Sequence, residues 1–151
     1  MAPMDAVARH PHRTSNELGG AMKGRVLAVD PGEVRTGVAV SDPTRTIARP
    51  LRVIRARSRR ELAQEITRCA EEEGAAQVIV GVAYGPRGEI GPQARRAMRL
   101  VDELQALSDL EILTWDESLS TQDAANQGSK RAPLDARAAA HILQEYLNAR
   151  G

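Results

Sequence analysis

The stretch Arg25-Val26-Leu27-Ala28-Val29-Asp30-Pro31-Gly32-Glu33-Val34-Arg35-Thr36-Gly37-Val38-Ala39-Val40-Ser41-Asp42 decides the fold. Two runs of strand-forming residues, Arg25 to Asp30 and Thr36 to Asp42, flank a short turn through Pro31-Gly32. Runs joined by so few residues pair as an antiparallel hairpin. Asp30 closes the first run, so its carboxylate is held rigidly beside a tight turn. A fixed acid at a strand end suits a site that grips a divalent cation for phosphodiester chemistry.

Downstream, an extended segment from Arg49 to Ile54 contains Pro50, which lacks an amide donor and belongs at a sheet edge. Ser58-Arg59-Arg60-Glu61 has capping-box spacing, and Leu62, Ile66 and Cys69 then repeat on one helical face until Gly74. Gln77 to Val82 is a continuous apolar run too short for a helix, as in a buried parallel strand. A Gly/Pro loop, Tyr84 to Gly91, leads to a helix from Pro92 to Leu107 that buries Ala97, Val101 and Leu104. Glu111 to Thr114 forms a further strand, ending at Trp115-Asp116-Glu117. A helix around Ser120 to Gln127 and a loop with Gly128, Lys130, Arg131 and Pro133 precede the last helix, Leu134 to Asn148. A hairpin followed by alternating helices and strands gives an α/β domain. Its mixed five-stranded sheet is antiparallel at one edge and parallel in the remainder, with the first strand near the centre.

Upstream of the hairpin, residues 1–23 have no periodicity and carry Pro3, Pro11, Gly19 and Gly20. They read as a disordered tail, with His10 and His12 solvated, ahead of a single domain over 24–151. The first residues lack the basic opening and apolar run of a secretion signal. No apolar stretch is long enough to span a bilayer, and a 42% hydrophobic, 27% charged chain of 151 residues describes a soluble protein with one ordinary core. The lone Cys69 cannot form an internal disulfide, and with three scattered histidines it cannot build a zinc site. A cytoplasmic location follows as the expectation.

The net charge is only +1, yet seven arginines and no acid lie between Pro43 and Arg60. Guanidinium groups bind phosphate oxygens in bidentate fashion, so Arg45, Arg49 and Arg52 onward read as a phosphate-facing strip. A solvated strand and loop in an arginine-rich protein accounts for the same run. Aromatic residues are nearly absent, with Tyr84, Trp115, Tyr146 and no Phe, so there is no base-stacking platform. Nucleic acid would be held through its backbone and shape.

Asp30, Glu117 and Asp135 lie at the first strand, the last strand and the last helix, and the carboxyl ends of the first and parallel strands share one sheet edge. The small residues Ala136, Ala138, Ala139 and Ala140 let the last helix approach the sheet closely, anchored by Ile142, Leu143, Tyr146 and Leu147. Three carboxylates together repel unless a cation is present, and hard oxygen ligands select Mg2+ or Mn2+ over zinc. Two such ions would hold the attacking and leaving oxygens of an in-line displacement. Each acid also has a plainer reading as a turn or cap residue, and Asp135 suits the helix dipole. Asp42 caps the turn at Pro43 rather than serving the site.

Taken in order, Val29-Asp30-Pro31-Gly32 through Ser41-Asp42, Ile79-Val80-Gly81-Val82, Asp116-Glu117-Ser118-Leu119-Ser120-Thr121, Leu134-Asp135-Ala136-Arg137-Ala138-Ala139 and Ile142-Leu143-Gln144-Glu145-Tyr146-Leu147 resemble the YqgF family, also called RuvX. The family is grouped as Holliday junction resolvases or pre-16S rRNA nucleases with an RNase H-like fold, and the match runs from about Gly24 to Gly151. The resemblance implies a divalent-metal-dependent nuclease with Asp30, Glu117 and Asp135 as catalytic acids and metal ligands. It puts Arg35, Lys130 and Arg131 against the nucleic-acid backbone. The implied substrate is the 5′ end of the 16S rRNA precursor or, alternatively, branched DNA, the latter requiring a homodimer. This chain departs from the family at Val34, at Ser118 where an arginine is usual, and in the loop Val82-Ala83-Tyr84-Gly85-Pro86-Arg87-Gly88. Two further readings share the pattern: an actin- or sugar-kinase-type ATPase, for which 151 residues supply no second domain, and a non-catalytic RNA-binding factor of ribosome biogenesis.

Overall fold

The computed structural model describes residues 24–117 and 134–150. Five strands form one sheet: β1 (Arg25–Asp30), β2 (Thr36–Ser41), β3 (Ala48–Ile54), β4 (Ala75–Val82) and β5 (Glu111–Asp116). Three helices accompany them: α1 (Arg59–Glu73), α2 (Pro92–Leu107) and α3 (Leu134–Arg150). The spatial order is β3-β2-β1-β4-β5, with β1 central and Pro50 on the β3 edge. β1–β2 and β2–β3 are antiparallel, while β1–β4 and β4–β5 are parallel. The mixed five-stranded α/β sheet therefore has its antiparallel half on the hairpin side, as the sequence implies. The expected tail over 1–23 and helix around Ser120 to Gln127 lie outside the described residues.

Alternation along the strands sorts the core into two layers. Leu27, Val29, Val38, Val40, Val78, Val80 and Val82 face α1 and α2. Val26, Ala28, Ala39 and Ile79 face α3, where Ile142, Leu143, Tyr146 and Leu147 cover them. Ala136 and Ala139 are buried on α3, so the small-residue surface does bring this helix onto the sheet.

Helix phases differ slightly from the expected ones. α1 buries Ala63, Ile66, Cys69 and Ala70, leaving Leu62 half-buried. α2 buries Ala94, Ala97, Leu100 and Leu104, with Leu100 fully inside in place of Val101. Both helices touch the sheet and each other, which widens their apolar stripe beyond a single i, i+4 row. At the N-terminus of α1 the Ser58 hydroxyl caps the helix by accepting from the Glu61 amide at 3.1 Å, while the Glu61 carboxylate accepts from the Arg57 amide, one residue before the cap, at 3.3 Å. Gly74 ends α1 in the left-handed region with φ 68°.

The β1–β2 turn allows no side chain at its glycine. A Cβ on Gly32 would lie 2.2 Å from the Arg35 carbonyl oxygen, so only glycine lets the chain fold back this tightly. The turn thus fixes where Asp30 ends. At the opposite sheet edge the β2–β3 turn is tied down by Asp42, whose carboxylate accepts from the Thr46 and Ile47 amides at 2.7 and 2.8 Å and also from Thr44. These bonds hold the Asp42 carboxyl well below the ordinary range, the Ile47 amide contributing most. Asp42 is a turn cap, remote from Asp30.

Candidate active site

Asp30 is even-numbered on β1, so it shares the α3 face of the sheet with Val26 and Ala28. Register places Gly81 of β4 beside Trp115 of β5 on the same face, and the residue that follows β5 is Glu117. Glu117 reaches back across Gly81 and shares a hydrogen bond with Asp30. A Cβ on Gly81 would sit 3.3 Å from Glu117 Oε2 and 2.8 Å from Ile142 Cδ1. Gly81 is therefore the seat of the Glu117 carboxylate, and its bare backbone lets acids from two strands meet across the strand between them. In the sequence alone Gly81 is one residue of a strand motif. Its role shows once β4 and β5 are paired.

Burial raises the Glu117 pKa, and the Asp116 charge adds to the rise, while the bond with Asp30 partly opposes it. Two carboxyls this close, one of them half-buried, hold a proton between them or a cation in its place. The donors are hard oxygens, so the pair fits Mg2+ or Mn2+ and does not suit a soft metal. Among the described residues no group of three or more potential ligands assembles, since the described part of the site supplies only these two acids. Asp135 is the second residue of α3, and its side chain lies outside what the structure describes. The course of the helix is nonetheless informative. Ile142 lies over Gly81, while the Tyr146 hydroxyl donates to Gln77 Oε1 at 3.2 Å near the start of β4. α3 therefore runs from the strand ends toward the opposite sheet edge, and its first turn points to the edge that carries Asp30.

The expected basic residues separate. Arg35 is exposed at the end of the β1–β2 turn, next to the site. Lys130 and Arg131 lie outside the described residues. The strip from Arg45 to Arg60 does not act as one surface, because β3 carries it from one sheet edge to the other. Arg45 sits in the β2–β3 turn with φ 59°, and its Nε donates to the Gly24 carbonyl at 2.9 Å, at the end remote from Asp30. Arg49 and Arg52 turn toward the C-terminal acids of α1, pairing with Glu73 at 3.9 Å and Glu72 at 3.6 Å. Only the later part of the run, from Arg55 on, reaches the edge that carries the acids. The structure therefore does not bring Arg45, Arg49 and Arg52 to the carboxylates. Strand direction and the acids of α1 are the physical reasons.

Residues 24–149 match the RuvX family, described as Holliday junction resolvase. A "Putative pre-16S rRNA nuclease" of Rubrobacter xylanophilus is 44% identical over 136 residues, covering 85% of this chain and 96% of that protein. A protein of the same name from Roseiflexus sp. is 40% identical, covering 83% of this chain and 94% of its own length. Among solved structures, T. thermophilus RuvC in complex with Holliday junction substrate superposes with a TM-score of 0.56 at 16% identity, over 83% of this chain and 94% of that one. The fowlpox virus Holliday junction resolvase superposes with a TM-score of 0.54 at 14% identity, over 83% and 99%. These structural likenesses bear on the fold, which is RNase H-like. The extent of the family match and the identity to full-length relatives place this chain in the RuvX family.

Proposed function

We propose that this protein is a divalent-metal-dependent nuclease of the cytoplasm that trims the 5′ end of the small-subunit rRNA precursor. The observation that supports it most is the meeting of Asp30 and Glu117 across Gly81 at the carboxyl edge of the sheet. The names carried by the relatives at 44% and 40% identity supply the substrate class. In this reading Asp30, Glu117 and Asp135 hold a pair of Mg2+ or Mn2+ ions, which supply charge stabilisation and an activated water when bound. The chain's own part is to fix those acids. Gly81 admits the Glu117 carboxylate, the β1–β2 turn aims Asp30, and α3 carries Asp135 toward both. Phosphodiesters are so inert that such a site must lower the barrier by ~20 kcal/mol.

The family description supports a second reading, resolution of branched DNA, which needs two copies of the site facing one junction. Cleavage of an rRNA precursor beside a four-way DNA junction, each with Mg2+ and with Mn2+, separates the two. The Asp30→Asn protein is expected to keep its fold and lose cleavage of whichever substrate the wild type cuts. Wild-type rates in Asp30→Asn would remove the proposed site. Binding of RNA in EDTA with no product under any metal would instead make the protein a non-catalytic RNA-binding factor.

A further inference from the structure

The same strand-end edge carries a second feature on the opposite sheet face, away from Asp30 and Glu117. Beyond the β1–β2 turn an open cavity of about 190 Å³ lies between that turn, the N-terminus of α1 and the flank of α2. Thr36, Leu62 and Leu100 line its interior, and Arg57, Arg59 and Arg96 stand among its walls. Leu100 and Thr36 are buried, Arg96 is half-buried, and Arg57 and Arg59 are exposed.

Four observations give this cavity an anionic ligand. Three arginines line it, one each from the segment before α1, from α1 and from α2, against Glu33 as the only carboxylate among the lining residues. None of the three is engaged by an acid among the described residues, unlike Arg49, Arg52 and Arg68, which all have carboxylate partners. The buried Thr36 faces the same space, and its hydroxyl has no hydrogen-bond partner among the described residues. Finally, Ser58 and Glu61 accept from other donors at the start of the 15-residue α1, so the amide of the lining residue Arg59 remains available at the positive end of the helix.

We propose that this cavity is a phosphate subsite that holds a backbone phosphodiester of the substrate strand beside the one being cleaved. The inference rests on the nuclease reading and adds to it a defined path. The strand crosses the sheet edge over the Pro31–Arg35 turn, with one phosphate among the guanidiniums and a neighbouring one at the carboxylates. The Leu62–Leu100 floor carries sugar carbons, and no aromatic surface is required. Such contacts give affinity and register without reading sequence. Free phosphate offers the same chemistry, so the test separates the two sources.

The experiment uses the full chain with the double substitution Arg57→Gln/Arg96→Gln, and Arg68→Gln as a control outside the cavity. Binding of a labelled RNA stem and of a four-way DNA junction is followed by anisotropy in EDTA across a salt series. The double variant is expected to bind at least about tenfold more weakly and to lose about one from the salt slope, roughly 0.9 for the one phosphate held there. With metal, it raises KM and leaves kcat at saturation near wild type. An unchanged slope, or an equal loss in Arg68→Gln, overturns the proposal. Loss of inorganic phosphate binding by phosphorus NMR with nucleic-acid affinity intact would make the cavity a free-anion site and overturn it as well. The Asp30→Asn protein keeps the two ideas apart. If it has lost cleavage while the arginine variant binds like wild type, only the subsite falls. If it cleaves normally, the nuclease reading falls whatever the arginines do.

Discussion

Gly81→Ala is the most informative single change in the core, because two contacts of known length define its effect. The added methyl would meet Ile142 Cδ1 at 2.8 Å and Glu117 Oε2 at 3.3 Å, and Gly81 does not need the left-handed region. Ile142 is 2% exposed, packed among Ile79, Ala139 and Leu143, so its δ-methyl has little room to swing. Overpacking of this kind costs about 1–3 kcal/mol, and the stiffer unfolded chain returns about 0.4–1 kcal/mol. The net expectation is a loss of about 0.5–2 kcal/mol, or a melting temperature lower by roughly 2–8 °C. Ile142→Val removes the clashing carbon at its own cost of about 0.5–1.5 kcal/mol. In the double variant the alanine methyl fills the space vacated by Cδ1, so the two losses should fall short of additivity by about 1 kcal/mol. Urea unfolding of the four proteins without metal measures this cycle. Losses that add to within about 0.5 kcal/mol would refute the contact as the determinant at Gly81. The added methyl also crowds Glu117 Oε2, and that contact survives in the double variant, so Gly81→Ala should weaken Mn2+ binding with or without Ile142→Val.

Tyr146→Phe keeps the edge-on contact with Trp115, whose ring centroid is 5.7 Å away, but removes the bond to Gln77. It should cost about 1–2 kcal/mol in urea unfolding, and a change below about 0.3 kcal/mol would show that Gln77 finds another donor. Glu117→Gln should change how stability depends on pH. The folded-state pKa of Glu117 is raised by burial, so the folded protein holds this proton more tightly than the unfolded chain. Its contribution is complete below the ordinary value of 4.5 and is lost as pH rises through the raised value. Without metal, the wild type should therefore lose stability relative to Glu117→Gln from about pH 4.5 upward, and parallel profiles would contradict the buried, proton-sharing pair.

Much of this arrangement was legible in the order of residues. The unbroken strand-forming runs Val26 to Val29 and Val38 to Val40 set the hairpin, and Pro50 marks the edge, because side-chain shape and a missing amide act locally. The acids at Asp30 and Glu117 could be brought to one sheet edge from topology alone. Pairing register was not legible, and register is what turns Gly81 from a motif residue into the seat of Glu117. Helix phase was only partly legible, since α1 and α2 each meet two neighbours and Ala63 and Leu100 serve as well as Leu62 and Val101. The arginine run could not be placed on the fold from its sequence, because a chain of like charges carries no information about strand direction. Arg45 and Arg57 are twelve positions apart in sequence and lie at opposite edges of the sheet. The acids that take Arg49 and Arg52 lie a helix away, at Glu72 and Glu73. Arg96 comes from a different element altogether, so the cavity it shares with Arg57 and Arg59 exists only in the folded chain.

The proposed site requires acids from β1, the end of β5 and the start of α3 to grip the same ions. Mn2+ titration followed by electron paramagnetic resonance, on wild type and on Asp30→Asn, Glu117→Gln and Asp135→Asn, tests it most directly. Each substitution should weaken Mn2+ binding by at least about tenfold, as much as losing a supporting residue costs in known metal sites. Mn2+ bound with wild-type affinity and stoichiometry by any of the three would show that the carboxylate concerned is not a ligand, and by all three that the site lies elsewhere.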